Sequence, residues 1–157
     1  MNNVNNNYKN HPTMSDDQVL EMAAEIIETK YLRGDSFNNP TAVKEFLQYK
    51  LANYEREVFA VLLLDNQNSL IEYKELFFGT INSASVHPRE VLKIALQHNA
   101  AAVMFAHNHP SGDPEPSNAD KQITQKLKSV LEVIDIRVLD HIVVGKDCVS
   151  FAERGLL

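Results

Sequence analysis

The chain has 157 residues, of which 44% are hydrophobic and 23% are charged, as expected for a single globular domain. Its formal net charge of -6 disfavours a non-specific nucleic-acid binder, which normally has a basic face. The single cysteine, Cys148, excludes an internal disulfide and a cysteine-based zinc site. The polar first residues do not resemble a signal peptide, and no apolar run reaches the ~18 residues of a membrane helix. We therefore expect a cytoplasmic protein without membrane contacts.

The N-terminal third predicts a tail and two helices. Residues 1–13 are polar and rich in asparagine, which is typical of a disordered tail. The string SDDQ at 15–18 has the pattern of a capping box, and we expect its helix to end near Gly34. Asn39-Pro40 predicts the start of a second helix, because proline is favoured at the first helical position. We interpret the segment 14–53 as a helical support for the core.

The remaining chain alternates between strand-like and helical patterns. Apolar runs bounded by turn residues predict strands at 57–65, 70–78, 101–107 and 136–144, with a short fifth strand at 149–151. A third helix is predicted after Ser85, which we expect to be its cap, with Pro88 inside its start and Val91, Leu92 and Leu96 on the apolar side. A fourth helix is predicted to start at Ser117. Strands that alternate with helices indicate an α/β domain layered around a mixed sheet.

The stretch HNHPSGDPEPSNAD, residues 107–120, combines the residue types of a metal site. His107 and His109 are two residues apart at the end of a predicted strand, so both imidazoles should point to one side. Asp120 lies at the start of the next predicted helix, and a loop rich in proline and glycine lets it fold back. Two imidazoles and one carboxylate suit zinc and leave a fourth position for water, whose pKa the ion lowers to about 7. We therefore predict one zinc ion per chain.

Each of these residues also has a purely structural interpretation. The string SNAD at 117–120 is a capping box, so helix initiation alone would explain Ser117 and Asp120. His107 could be a hydrogen-bonded histidine at the end of a strand. His141 lies in a predicted strand, where a satisfied core histidine is the favoured interpretation and orientation of the metal site is the alternative. Two histidines and an aspartate around one short loop together favour the metal site.

The motif also carries a family resemblance. H-x-H, seven residues and S-x-x-D match the JAMM motif of the JAB1/MPN metalloprotease superfamily. The strings GTINSASVHPREV, AHNHPSGDPEPSNAD, DIRVLDHIVVG and VSFAERGLL resemble the bacterial RadC-like family within it. The resemblance implies one JAB1/MPN-like domain at 54–157, with a mixed sheet flanked by helices and a cytidine-deaminase-like architecture. The chain is most similar to short members that lack the helix-hairpin-helix segment associated with DNA.

The resemblance also implies roles for individual side chains. The two histidines and the aspartate of the motif match the family's metal ligands. Ser117 matches the motif serine, whose hydroxyl would bind the water or the developing oxyanion. The family's upstream glutamate, a general acid/base, corresponds best to Glu57, with Glu55 as the rival.

Two classes of function follow from these features. The first is a zinc-dependent hydrolase, most specifically a metallopeptidase or isopeptidase that acts on a peptide or protein as a monomer or homodimer. The second is a metal-stabilised, non-catalytic binding module associated with DNA recombination, DNA repair or mobile elements. A zinc deaminase is excluded, because the sequence lacks the P-C-x-x-C string that such enzymes require. An HExxH metalloprotease is excluded by the absence of that string.

Overall fold

A computed structural model describes residues 13–33, 39–82 and 85–157. The helices are α1 (Asp16–Ile27), α2 (Pro40–Leu51), α3 (Pro88–Gln97) and α4 (Asn118–Glu132). The strands are β1 (Val58–Leu64), β2 (Leu70–Phe78), β3 (Ala102–Asn108), β4 (Arg137–Val144) and β5 (Cys148–Ser150). None of the helices in the described ranges combines the length and the apolar character needed to cross a membrane.

The five strands form one sheet in the order β2-β1-β3-β4-β5. Strands β3 and β4 are parallel, and every other neighbouring pair is antiparallel. Parallel neighbours need a long crossover connection, and α4 provides it between β3 and β4. This mixed sheet flanked by helices confirms the predicted α/β class.

Strand β1 is buried along its whole length, because helices cover both faces of the sheet. Its side chains alternate between two cores. Val58, Leu62 and Leu64 pack with residues of α1 and α2. Phe59, Val61 and Leu63 pack with residues of α3 and α4. The odd-numbered side chains of β1 therefore point toward α4, the helix that follows His107 and His109 in the chain.

The antiparallel register of β1 and β3 determines which residues lie beside His107 and His109 at the end of β3. Phe59 pairs with His107, so the start of β1 lies at the end of β3. Glu57 precedes Phe59 by two residues, and His109 follows His107 by two. The alternation of side chains then brings Glu57 and His109 to the same face and the same end of the sheet.

Several predicted helix starts are confirmed. Ser15 and Gln18 form the capping box of α1, Asn39 caps α2, and Pro40 is its first residue. A π-helical turn, Glu28–Leu32, follows α1. The predicted helix end at Gly34 lies outside the described residues, as does the predicted tail except for the exposed Thr13.

The predicted cap of α3 was wrong, whereas the predicted position of Pro88 in the first turn of the helix is confirmed. The helix begins at Pro88, with His87 as its N-cap residue. Ser85 lies in the preceding turn, where its hydroxyl donates to the carbonyl of Thr80 at 2.6 Å and accepts from the backbone N–H of Asn82 at 3.0 Å. Because the hydroxyl is engaged in this turn, it cannot cap the helix.

The apolar side of α3 also differs from the prediction. Val91 and Ala95 are buried against the sheet, whereas Leu96 is 60% exposed. A helix of ten residues buries one narrow stripe, and the small Ala95 occupies the place that the sequence pattern assigned to Leu96.

Candidate metal centre

The end of β3 and the start of α4 bring three potential metal ligands together. His107 Nε2 lies 3.0 Å from His109 Nε2 and 3.2 Å from Asp120 Oδ1. His109 Nε2 lies 3.3 Å from Asp120 Oδ2. His107 is fully buried, Asp120 is 2% exposed, and the donor atoms of the three residues all lie within 4.8 Å of one another. The loop between them thus folds back as the sequence suggested.

The hydrogen bonds around these ligands favour a cation between them. His109 Nδ1 lies 2.8 Å from the carbonyl oxygen of Asp113, which can only accept, so Nδ1 carries the hydrogen and Nε2 of the neutral ring presents a lone pair to the cluster. Burial raises the pKa of Asp120, but hydrogen bonds donated by the protonated forms of His107 and His109 outweigh burial and hold the pKa well below the usual range. Hydrogen bonding to Asp120 raises the pKa of His109. The carboxylate therefore stays ionised and attracts positive charge at this point.

The spacing of these atoms fits one small metal ion. Two ligands at about 2.0–2.1 Å from a tetrahedral zinc ion are roughly 3.3–3.4 Å apart. The two histidine Nε2 atoms are 3.0 Å apart, and they lie 3.2 and 3.3 Å from different oxygens of the Asp120 carboxylate. Imidazole nitrogen and carboxylate oxygen are also the donor types that suit a divalent ion of this size. His107, His109 and Asp120 can therefore bind a metal ion together.

An open cleft of about 440 Å³ lies beside the cluster. It is lined by Glu57, Thr80, Ile81, Asn82, His109, Pro110, Ser111, Ser117, Ala119 and Asp120. Glu57 Oε2 accepts a hydrogen bond from the backbone N–H of Ile81 at 2.6 Å, which orients the carboxylate. Glu55, the rival residue, is exposed and does not line the cleft.

Ser117 lines the same cleft and caps α4. Its hydroxyl oxygen accepts from the backbone N–H of Asp120 at 3.1 Å, and its own backbone N–H donates to Asp120 Oδ2 at 2.7 Å. The capping box is therefore confirmed, and the same bonds orient the carboxylate of Asp120. The hydroxyl hydrogen of Ser117 has no acceptor among the residues that the structure describes, so it can donate into the cleft.

Comparisons with known proteins identify the family of this chain. A family model described as the RadC-like JAB domain matches residues 37–156. The chain belongs to the RadC-like family. This RadC-like protein is 59% identical over all 157 residues to a UPF0758 protein of Vibrio cholerae serotype O1, with both chains covered completely. It is 66% identical over 140 residues to another UPF0758 protein of that organism, covering 89% of each chain.

Longer relatives also match the RadC-like protein. UPF0758 protein PSHAa2643 of Pseudoalteromonas translucida is 57% identical over 140 residues, which cover 88% of this chain and 62% of the relative. The predicted family is therefore confirmed.

His141 lies directly behind the ligand His107. Its Nε2 is 2.8 Å from His107 Nδ1, and its Nδ1 is 2.6 Å from the hydroxyl oxygen of Thr124. Burial, together with the nearby His107, holds the pKa of His141 well below its ordinary value. His141 is therefore a satisfied core histidine that also contacts a potential metal ligand, so the two interpretations made from the sequence are compatible.

Sequence reasoning missed Thr124. Its signal was the spacing: Thr124 follows Asp120 by four residues in α4, and residues so spaced share one face of a helix. Thr124 is fully buried, and its hydroxyl lies between His141 and the Asp120 carbonyl.

Sequence reasoning also missed Asn108, the residue between the two histidines. Asn108 is 2% exposed, and its Oδ1 accepts from the backbone N–H of Val58 at 2.7 Å. Its Nδ2 donates to the carbonyl oxygens of Tyr54 at 3.4 Å and Arg56 at 3.0 Å. These bonds hold the backbone on both sides of Glu57, so Asn108 links the segment with the ligands to the segment with the cleft carboxylate.

We expect Asn108→Ala to lower the free energy of unfolding by about 2–4 kcal/mol, because it leaves a buried strand N–H and two carbonyl groups without their partner. Urea denaturation of the metal-free protein measures this loss. Asn118→Ala, at the exposed first residue of α4, is the control and should change stability by less than about 0.5 kcal/mol. Equal effects of the two substitutions would contradict the role of Asn108.

The turn after β4 supports the loop that carries His109. The backbone N–H of Lys146 donates to the carbonyl of Gly112 at 2.8 Å, and the N–H of Gly112 donates to the carbonyl of His109 at 2.9 Å. A Cβ atom at Gly145 would lie 2.5 Å from the carbonyl oxygen of Gly112. Only glycine therefore lets the two loops approach closely enough to make these bonds.

Proposed function

We propose that this RadC-like protein is a zinc-dependent hydrolase that cleaves a peptide or isopeptide bond. The observation that carries the proposal is one cleft lined by two members of the N,N,O cluster, His109 and Asp120, and by a separate carboxylate, Glu57. A purely structural metal site is normally closed by four protein ligands, whereas catalytic zinc sites have three protein ligands and an open position. The described residues provide three ligands that lie beside a solvent-accessible cleft.

Zinc held by His107, His109 and Asp120 would supply a Lewis acid that activates water near neutral pH and polarises a carbonyl group. Glu57 is the proton carrier in this proposal. One of its oxygens is held by the N–H of Ile81, and the other makes no hydrogen bond with the described residues, so it can take a proton from the attacking water. Glu57 then passes that proton to the leaving amine.

Ser117 is the hydrogen-bond donor in this proposal. Its hydroxyl oxygen already accepts from α4, so its hydrogen points away from that bond and is available to a carbonyl oxygen that gains negative charge. The cleft is open at the surface, which suits an exposed segment of a peptide or protein as the substrate. The net charge of -6 does not favour nucleic acid. We further propose that the protein acts in the cytoplasm, as a monomer or homodimer.

Glu57→Gln tests this function. We expect the variant to keep one zinc ion per chain, because Glu57 is not among the clustered ligands. We expect its hydrolysis of a quenched fluorescent peptide library and of isopeptide-linked dipeptides to fall by roughly 10²–10⁴-fold, the usual contribution of a general acid/base. Zinc is measured by mass spectrometry of the purified protein, and hydrolysis is measured by fluorescence or amine release.

Glu55→Gln is the matched control, because Glu55 is exposed and lies outside the cleft. It should retain both zinc and turnover. Undiminished hydrolysis by Glu57→Gln would contradict the proposed role of Glu57. A zinc-loaded wild-type protein that cleaves none of these substrates would instead favour the metal-stabilised binding module.

A further inference from the structure

His141 is fully buried behind His107. Burial among aromatic rings removes the water that would otherwise hydrogen-bond to the imidazole, so the protein must supply polar partners for both ring nitrogens. His141 stacks on Phe151, with ring centroids 4.8 Å apart. Phe59 and Phe105 approach its ring edge-on, with centroids at 5.6 and 6.0 Å. Both ring nitrogens nevertheless have one short polar contact each, to Thr124 and to His107.

The position of the hydrogen in the first contact follows from Thr124. Its hydroxyl oxygen lies 2.6 Å from the backbone carbonyl oxygen of Asp120. A carbonyl can only accept, so the hydroxyl must donate its single hydrogen there. The same hydroxyl oxygen lies 2.6 Å from His141 Nδ1, and its hydrogen is already used. His141 Nδ1 must therefore carry a hydrogen and donate it to Thr124.

The position of the hydrogen between His141 Nε2 and His107 Nδ1 follows from the assignment at Thr124. The His141 ring is buried and neither of its nitrogens contacts a carboxylate of the described residues, which disfavours a charged imidazolium. With its one hydrogen on Nδ1, a neutral His141 presents a lone pair at Nε2. His107 Nδ1 lies 2.8 Å from that lone pair, so it must donate a hydrogen. The neutral His107 ring is then left with a lone pair at Nε2, the nitrogen that lies in the ligand cluster.

We propose that Thr124 and His141 are positioning residues that hold His107 in the tautomer able to bind a metal ion. Their hydrogen bonds run from the carbonyl of Asp120 through Thr124 and His141 to His107, so the chain connects two ligands through the interior of the protein. This inference rests on the metal site of the proposed function and not on its catalytic step.

The alternative tautomer of His107 would hinder metal binding. If His107 carried its hydrogen on Nε2, it would donate to Asp120 Oδ1, which lies 3.2 Å away. That bond would occupy both a ligand nitrogen and a ligand oxygen, and a metal ion would have to break it. The acceptor at His141 Nε2 favours the tautomer with the hydrogen on Nδ1 and so opposes the bond to Asp120.

The first test is a direct measurement on the metal-free wild-type protein. Nuclear magnetic resonance of protein with ¹⁵N-labelled histidine side chains distinguishes ring nitrogens with and without a hydrogen. At a pH where His107 is neutral, we expect the hydrogen on Nδ1 of both His107 and His141. A hydrogen on Nε2 of His107 would overturn the proposal, and this result does not depend on the folding of any variant.

The second test compares two substitutions at one position. Thr124→Val has nearly the same shape but no hydroxyl, whereas Thr124→Ser keeps the hydroxyl. We expect Thr124→Val to weaken zinc affinity by about 10–100-fold, as is usual when a partner of a ligating histidine is removed. Thr124→Ser should remain within about threefold of wild type. Affinity is measured by competition with a chromophoric zinc chelator, and folding is checked by thermal unfolding of the metal-free variants.

Equal zinc affinity of the valine and serine variants would overturn the proposal. A loss of affinity in Thr124→Val without a change in the tautomer of His107 would also overturn it, because the effect would then be one of packing. These outcomes are distinct from failure of the proposed function. A wild-type protein that binds zinc and hydrolyses nothing would refute the hydrolase and leave the tautomer measurements valid.

Discussion

Replacing His109 with alanine should lower the zinc affinity of the RadC-like protein by more than a hundredfold. His109 provides one of the three clustered donor atoms. Structural zinc sites with four ligands bind with about 10–16 kcal/mol, or roughly 3 kcal/mol per ligand. At 1.4 kcal/mol for each factor of ten, the loss of one ligand corresponds to more than a hundredfold in the dissociation constant. The purified variant should therefore contain little zinc after dialysis against a weak chelator.

His87→Ala provides the matched control, because His87 is exposed and its ring contact is with Phe77, away from the ligand cluster. Zinc content by mass spectrometry should be one ion per chain in this control and in the wild type. Zinc retained undiminished by His109→Ala would show that the ion is held elsewhere.

Zinc affinity should also fall steeply as the pH is lowered. The hydrogen bond with Asp120 raises the pKa of His109, so protons compete with the metal ion for this nitrogen from a pH above the ordinary histidine value of about 6.5. Asp120 does not add to this dependence near neutral pH, because its pKa is held well below the usual range by His107 and His109 against the effect of burial. Binding releases at least one proton below the pKa of His109, so affinity should drop at least about tenfold per pH unit there.

The sign of this dependence is definite. Affinity is highest where His109 has lost its proton and declines as the pH falls through its raised pKa. Competition titrations between pH 8 and pH 5 measure the slope, and circular dichroism at each pH verifies that the protein stays folded. An affinity that is constant from pH 7 to pH 5 would exclude histidine ligation.

Most strand and helix positions could be predicted from the sequence, because the apolar residues of each segment follow the pattern of one type of secondary structure. The β1 run is apolar without interruption and is covered on both faces, as such runs indicate. The SDDQ string at 15–18 caps α1 by the side-chain and backbone bonds that its pattern predicts. The cap of α3 could not be predicted, since Ser85 forms turn bonds to Thr80 and Asn82 that compete with a helix cap.

The cluster of His107, His109 and Asp120 was predictable because these residues are close together in the sequence and their types are specific. The residues that support it were not, because each acts across the sheet or between elements. Asn108 bonds to the backbone around Glu57, fifty residues earlier, in a pairing that only the strand register specifies. His141 reaches His107 because β4 lies parallel to β3, and sequence spacing contains no sign of that neighbour.

The pairing of Phe59 with His107 has a practical consequence for protein engineering. The pairing of β1 with β3 determines the distance between the Glu57 carboxylate and the potential metal ligands. The turn at 65–69 therefore does not set that distance. This turn lies at the far end of β1, about 20 Å from the site at the ~3.3 Å rise of a strand. A fluorescent reporter or an affinity handle inserted there would leave the metal centre undisturbed.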